Sequence, residues 1–390
     1  MDLSLTEEQM LIQEMARKFA QGELAAVAAS LDKDEIPDEC REVFLAHIRQ
    51  LAELGFMGLN IDAKYGGAEA GVIAFGLAIT EIARACASTA VTMSVTNMVA
   101  EVIQSVASEE QKARYLPKLC SGEYSAGAFC LSEAGAGSDP AGMRTEAIKN
   151  GDEWVLNGTK MWITSAEYAG VFVVWAVTDP EAPKGRGISC FLVEAGTPGL
   201  IIGRAEEKMG QHASSTNTVT FEDCHIPESA LMGKLNDGFR IAASELAGGR
   251  IGIGALALGV AQAAIDYARQ YTTEREQFGI AISSMQGPQW MMAEAYTKLE
   301  ASRLLLMNAA YQKQQGMNFG KAASMAKLYA TEAANEVCYT AIQLMGGIGY
   351  TKDCPLERLA RDARVTSIYE GTSEVQRVII AREVLREVQQ

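Results

Sequence analysis

The sequence predicts an α+β protein in α–β–α order: a helical domain over residues 1–122, a central antiparallel β domain over 123–238, and a second helical domain over 239–390. Three observations carry this. Apolar residues recur at helical spacing towards both ends of the chain. Short strand patterns bounded by Pro- and Gly-rich loops fill the middle, and no helical stretch interrupts them. Each part, of roughly 100–150 residues, has an ordinary domain size.

A Thr6–Gln9 capping box opens the first helix, in which Leu11, Met15 and Phe19 recur at helical spacing. A break at Asp34-Glu35-Ile36-Pro37 precedes a second amphipathic stretch, and Tyr65-Gly66-Gly67 marks a loop. Residues 73–87 and 91–106 read as buried helices rich in Ala, Val and Ile. A further helix opens at Ser108-Glu109-Glu110-Gln111 and is expected to end near Tyr115-Leu116-Pro117. In the middle, Trp154-Val155-Leu156, then Asn157-Gly158, then residues 159–164 predict a hairpin, because Asn-Gly suits the mirror-image turn that strand twist favours. Strands are also expected at 171–177, 188–193 and 217–221. Beyond residue 238 long helices return: Met292, Ala295, Leu299, Leu306 and Ala310 share a face, and residues 321–344 form another Ala-rich helix.

The formal net charge of −15 argues against nucleic acid as a partner, which needs clustered Lys and Arg. Eight cysteines carry no CxxC pair, so metal and disulfide frameworks both lack their spacing, and the three histidines are dispersed. The start, Met1-Asp2-Leu3-Ser4-Leu5, carries no basic and apolar leader, and no apolar run reaches membrane-spanning length in this reading. The expectation is a cytoplasmic protein with no membrane partner.

One carboxylate stands out. Glu370 lies between Tyr369 and Gly371, ahead of a helix for which Ser373 and Gln376 form an S-x-x-Q capping box. On this context alone a turn acid favoured by the helix dipole explains it as well as a functional group does. Phe129-Cys130-Leu131-Ser132-Glu133-Ala134-Gly135-Ala136-Gly137-Ser138-Asp139 reads as backbone brought close to a flat or phosphorylated ligand. It is not a dinucleotide fingerprint, because Pro140 replaces the third glycine and no helix follows. The spacing G-x-G-x-x-A at residues 252–257 falls inside a helix and is rejected too. Met161-Trp162-Ile163-Thr164 suits either a wall for a planar cofactor or a core Trp. Arg275 with Phe278-Gly279, the glycines of residues 343–350, and Gly248-Gly249-Arg250 are further candidates for an anion or a close backbone approach.

In this order the motifs resemble those of the acyl-CoA dehydrogenase family, over essentially the whole chain. The resemblance implies a C-terminal four-helix bundle, a homotetramer and an FAD cofactor. Phe129, Leu131, Ser132, Gly137 and Ser138 would hold the flavin, with Ser132 near its N5, and Trp162, Ile163 and Thr164 would cover the ring. Arg275, Phe278, Gln286, Gln343, Leu344, Gly346 and Gly347 would reach FAD across a subunit interface, and Thr372 and Glu374 would complete the site. Ser138, Ala247, Gly248, Gly249, Arg250, Tyr369 and Gly371 would contact an acyl-CoA substrate. Glu370 would be the base that takes the α-proton while the β-hydrogen leaves as hydride, with an electron-transfer flavoprotein as acceptor. An oxidase using oxygen and a non-catalytic acyl-CoA-binding protein are the alternatives. The sequence departs from the family pattern at Ser132-Glu133-Ala134, where Thr-Glu-Pro is common, at His212, where Arg is frequent, and at Ala247, where an acid is common in straight-chain members. Residues 248–250 look like those of branched-chain members; some relatives carry the base on that helix, but Gly248 and Gly249 offer no carboxylate, which in this resemblance leaves Glu370 as the base.

Overall fold

The computed structural model describes residues 4–33 and 37–387; of the expected break at residues 34–37, only Pro37 falls within them. Five helices form the N-terminal part: α1 (Glu7–Phe19), α2 (Asp38–Glu53), α3 (Gly71–Ala85), α4 (Ala87–Val106) and α5 (Glu109–Cys120). The Thr6–Gln9 box caps α1 reciprocally, and Ser108–Gln111 does the same for α5. Cys86 is extended and separates α3 from α4. Helix α5 runs on through Pro117 to Cys120, past its expected end. A proline near a C-terminus removes only one helical hydrogen bond, and Leu116 and Leu119 bury apolar surface on either side.

The β domain holds β1 (Ala126–Cys130), β2 (Glu146–Asn150), β3 (Glu153–Thr164), β4 (Ala169–Val177), β5 (Ile188–Glu194), β6 (Leu200–Ala205), β7 (Thr216–Pro227) and β8 (Leu231–Met232). Their order is β6-β7-β3-β2-β4-β5-β8, with β1 against β4. The sheet is mixed rather than purely antiparallel, since β4 pairs in parallel with β1 and, at one residue pair, with β2. The Asn157-Gly158 hairpin does not form. Both residues lie inside β3, where Gly158 (φ 142°) marks a bulge against β7 and a Cβ would stand 2.6 Å from Thr145 Cα. The Asn157 side chain instead bridges to Asp223, accepting its N–H at 2.8 Å. The turn falls at Gly151-Asp152, between the paired Asn150 and Glu153.

Among the described residues five α-helices follow: α6 (Gly238–Glu274), α7 (Gln286–Gln314), α8 (Gly320–Met345), α9 (Leu356–Arg364) and α10 (Ser373–Glu387). Helix α6 is long and apolar enough to cross a membrane, contrary to the reading of the sequence, but 78% of its apolar window is buried inside the protein. Its Ala, Ile and Leu residues pack against α3, α4, α7 and α8 in one core that joins the two helical domains. The rejected G-x-G-x-x-A spacing lies within this helix. The eight cysteines are free thiols, and all but Cys40 are buried.

Candidate active site

The chain turns sharply at Glu370 (φ 53°) and Gly371 (φ 88°), two successive left-handed residues before α10. A non-glycine there costs on the order of 1 kcal/mol, so neighbours must hold it. Gln376 donates through Nε2 to the carbonyls of Glu370 at 3.2 Å and Gly371 at 2.9 Å, and Lys327 Nζ donates to the Gly371 carbonyl at 2.7 Å. The expected Ser373–Gln376 capping box is therefore absent. Thr372 Oγ1 accepts the Val375 N–H at 3.3 Å in its place, Ser373 Oγ is buried without a partner, and Gln376 is spent on the turn. The amphipathic pattern located the helix, but the turn's own carbonyls decided its cap.

The turn aims the Glu370 carboxylate at α6. Glu370 Oε2 is sealed from solvent without a hydrogen-bond partner, and a Cβ placed on Gly249 would stand 3.0 Å from it and 2.7 Å from Met98 Sδ. With glycine at 249, the ends of the Met98 and Glu370 side chains close directly on α6, and any Cβ there would displace them. Burial pushes the Glu370 carboxyl up to about 7, against the opposing pull of Arg250 and Lys327. Arg250 is itself buried, with Nη1 donating to Ser324 Oγ at 3.2 Å and Nε unpartnered. Burial also brings Lys327 down to about 8, with Glu370 the largest opposing influence. One buried carboxylate faces two buried cations without bonding either, an arrangement able to accept a proton near neutral pH.

A second face comes from the β domain. Ser132 is half-buried, and its carbonyl accepts the Met161 N–H at 2.9 Å, which fixes the 131–138 loop on β3. Glu133 accepts from Arg144 N at 2.7 Å, Thr145 N at 2.9 Å and Lys160 Nζ at 2.9 Å, and Lys160 is 0% exposed. Beyond Lys160, β3 loses register with β7, and Trp162 (φ 65°) turns outward to 55% exposure while Ile163 returns to the core. The Phe129 ring lies 4.3 Å from that of Trp175, and Leu131 is buried, so Leu131 and Ile163 have chiefly backbone to offer a ligand. Thr164 is half-buried, and Gly137 and Ser138 are exposed. A Cβ on Gly135 or Gly137 would meet nothing within 4 Å. Open loop backbone beside an out-turned indole fits a planar ring such as that of FAD.

The other candidates differ in exposure. Arg275 and Gln286 are exposed, Phe278 (φ 54°) is 97% exposed, and Gln343, Gly346 and Gly347 are exposed while Leu344 is in the core. Thr372 and Gly371 are half-buried and Glu374 is exposed. Ala247 is half-buried, and Gly248 is buried against the Glu101–Lys313 ion pair. Tyr369 turns its hydroxyl to Gln211 at 3.2 Å. Lys327, Lys160 and Gln211 were not legible as site residues, since each owes its place to a contact between distant segments. Only the Glu of Ser132-Glu133-Ala134 hinted at a buried acid needing a cation.

Three family models match in sequence: the acyl-CoA dehydrogenase N-terminal domain over residues 6–123, the middle domain over 128–224 and the C-terminal domain over 236–385. The chain is 45% identical to the short/branched chain specific acyl-CoA dehydrogenase of Rattus norvegicus mitochondria, covering 98% of this chain and 86% of that one. It is 43% identical to the short-chain specific acyl-CoA dehydrogenase of Clostridium acetobutylicum, over 99% and 100%. A chain in a solved structure described as the electron transferring flavoprotein of Acidaminococcus fermentans superposes with a TM-score of 0.95 at 41% identity, covering 99% of this chain and all of that one. The two-faced site and these full-length likenesses agree: the chain belongs to the acyl-CoA dehydrogenase family and is an FAD-dependent oxidoreductase.

Proposed function

We propose that this enzyme desaturates a short, branched or cyclic acyl-CoA thioester between its α and β carbons, with Glu370 as the base. The observation that carries the reading is the sealed, unpartnered Glu370 Oε2 opposite Gly249. A thioester α-proton is a weak acid, so its removal needs a desolvated base of raised pKa held in place. Burial supplies the raised pKa, and Gln376 and Lys327 supply the placement. Arg250 and Lys327 keep enough of the carboxylate ionised near neutrality for it to accept the proton. The Glu133–Lys160 pair holds the loop carrying Ser132, and Trp162 covers the ring. Bound FAD supplies the acceptor for the β-hydrogen and its electron pair. The substrate thus loses one proton and one hydride, and the product is a 2-enoyl thioester.

Close packing beside the carboxylate supports a short acyl group. Met98 and Ser94 share a face of α4, and Gly249 and Gly252 share one of α6. Towards the interior, a Cβ on Gly252 would stand 2.3 Å from Ser94 Oγ and 3.2 Å from Phe75 Cζ, so the helices touch there. Gly252 lies three residues from Gly249 along α6, a rise of about 4.5 Å.

An electron-transfer flavoprotein is the acceptor in this reading, supported by the setting of the Acidaminococcus fermentans relative. Exposed Phe278, Trp290, Tyr339 and Tyr350 support burial of the C-terminal domain in a homotetramer. Free thiols throughout support a reducing, cytoplasmic compartment. The test is anaerobic addition of acyl-CoAs to the yellow holoenzyme. Short acyl-CoAs bleach the flavin of the parent, while Glu370→Gln keeps its colour and does not bleach. Normal bleaching by that variant removes Glu370 from the role. Rapid peroxide formation during turnover in air would favour an oxidase instead.

A further inference from the structure

The turn between β6 and β7 reaches into the C-terminal domain beside the base. Gly210 approaches α9 so closely that a Cβ would stand 2.7 Å from the Arg361 carbonyl carbon. The next residue, Gln211, is buried and left-handed (φ 52°), a strained setting for a side-chain-bearing residue. Its hydrogen bonds account for the strain. Its backbone N–H donates to Asp362 Oδ1 at 2.5 Å, and Nε2 donates to the Asp362 carbonyl at 3.0 Å and to the Tyr369 hydroxyl oxygen at 3.2 Å.

Asp362 is buried, and its neighbour Arg361 extends the knot to the N-terminal domain. Arg361 Nη1 and Nη2 meet the Asp32 carboxylate at 3.0 and 2.5 Å, and Nη1 also donates to the Met209 carbonyl at 3.0 Å. Three domains meet at Arg361 and Asp362, and Gln211 carries the contact on to Tyr369, the neighbour of Glu370. Downstream of the carboxylate, Gln376 and Lys327 grip the turn. Upstream, the Tyr369 N–H donates to the Val365 carbonyl at 3.1 Å, and its phenol oxygen accepts from Gln211 of the β domain.

We propose that Gln211 is a positioning residue: through the Tyr369 hydroxyl it couples the β domain, which carries the Ser132–Trp162 face, to the turn that carries Glu370. The inference rests on Glu370 being the base. A base on one domain and a ring-binding face on another must be kept in register, and an error of about 1 Å costs up to 100-fold in rate. Gln211 spans the domains with one side chain, and Asp362 holds it from both its carboxylate and its backbone.

The test compares Tyr369→Phe, Gln211→Met and the double variant as FAD-loaded holoenzymes, with butyryl-CoA and an artificial electron acceptor. Each single variant is expected to lose roughly tenfold or more in kcat with KM within about threefold, and the double variant to be no worse than the poorer single. Full kcat in either single variant, a loss confined to KM, or multiplying losses in the double variant overturns the proposal. Tyr369→Phe removes one oxygen atom, so loss of FAD or of the fold in it also counts against positioning, because the hydroxyl would then hold structure instead. Glu370→Gln in the same assay separates the two readings. Full turnover by that variant overturns the base itself, whereas a dead Glu370→Gln beside a fully active Tyr369→Phe overturns only the role of Gln211.

Discussion

If Glu370 is a buried base, removing its charge should stabilise the protein, and only above a defined pH. Its carboxyl stands at about 7 in the folded chain against an ordinary 4.5. The folded state therefore holds its proton more tightly than the unfolded state does. That stability is present in full below about pH 4.5 and is lost as pH rises through 7. A carboxyl at about 7 against an ordinary 4.5 corresponds to about 3 kcal/mol, most of it falling between pH 5 and 8. Glu370→Gln mimics the protonated acid at every pH and does not incur this loss. The assay is paired denaturant unfolding of the two FAD-saturated proteins at pH 5 and pH 8, because the difference between them cancels groups that titrate alike in both. The variant's stability relative to the parent should rise by about 2–3 kcal/mol from pH 5 to pH 8. A difference that stays level with pH would mean that the carboxyl titrates near 4.5 and that burial does not tune it. Parent kcat/KM should rise over the same range with a midpoint near 7, as expected when the ionised carboxylate is the active form.

Lys327→Met removes a cation facing Glu370 and the donor to the Gly371 carbonyl, so the midpoint of the pH–rate profile should move above its parent value; an unmoved midpoint would separate Lys327 from the base. Lys160→Met leaves the Glu133 carboxylate buried without its cation, at a cost of about 3–5 kcal/mol. Denaturant unfolding should register that loss, and FAD retention should fall as the Ser132 loop loosens. Phe75→Ala removes the ring packed against Gly252, so activity should extend to longer acyl chains in a chain-length series; an unchanged series would place the limit on chain length elsewhere.

Much of this molecule follows from local rules. The α–β–α order was legible because helical and strand periodicities are properties of short windows, and the Thr6 and Ser108 caps because a capping box closes within four residues. Family membership was legible because five short motifs recur in order. Where a local rule competed with a long-range contact, the contact won. Asn157-Gly158 has the chemistry of a turn, yet pairing of β3 with both β2 and β7 kept the strand running and used the glycine for a bulge. Ser373 has the chemistry of a cap, but Thr372 took that place because Gln376 was drawn to the carbonyls of the turn.

The sequence by itself determined the family, and with it the class of chemistry, because five short motifs in a fixed order are together specific where each alone is weak. Only the tertiary structure decided that Glu370 is desolvated, that Arg250 and Lys327 face it, and that Gln211 reaches its neighbour from another domain. The physical reason is the same in each case. A pKa, a counter-charge and an orientation depend on atoms close in space, and here those atoms come from residues 98, 211, 249, 250, 327 and 370, which the chain brings together only when its three domains close on one core.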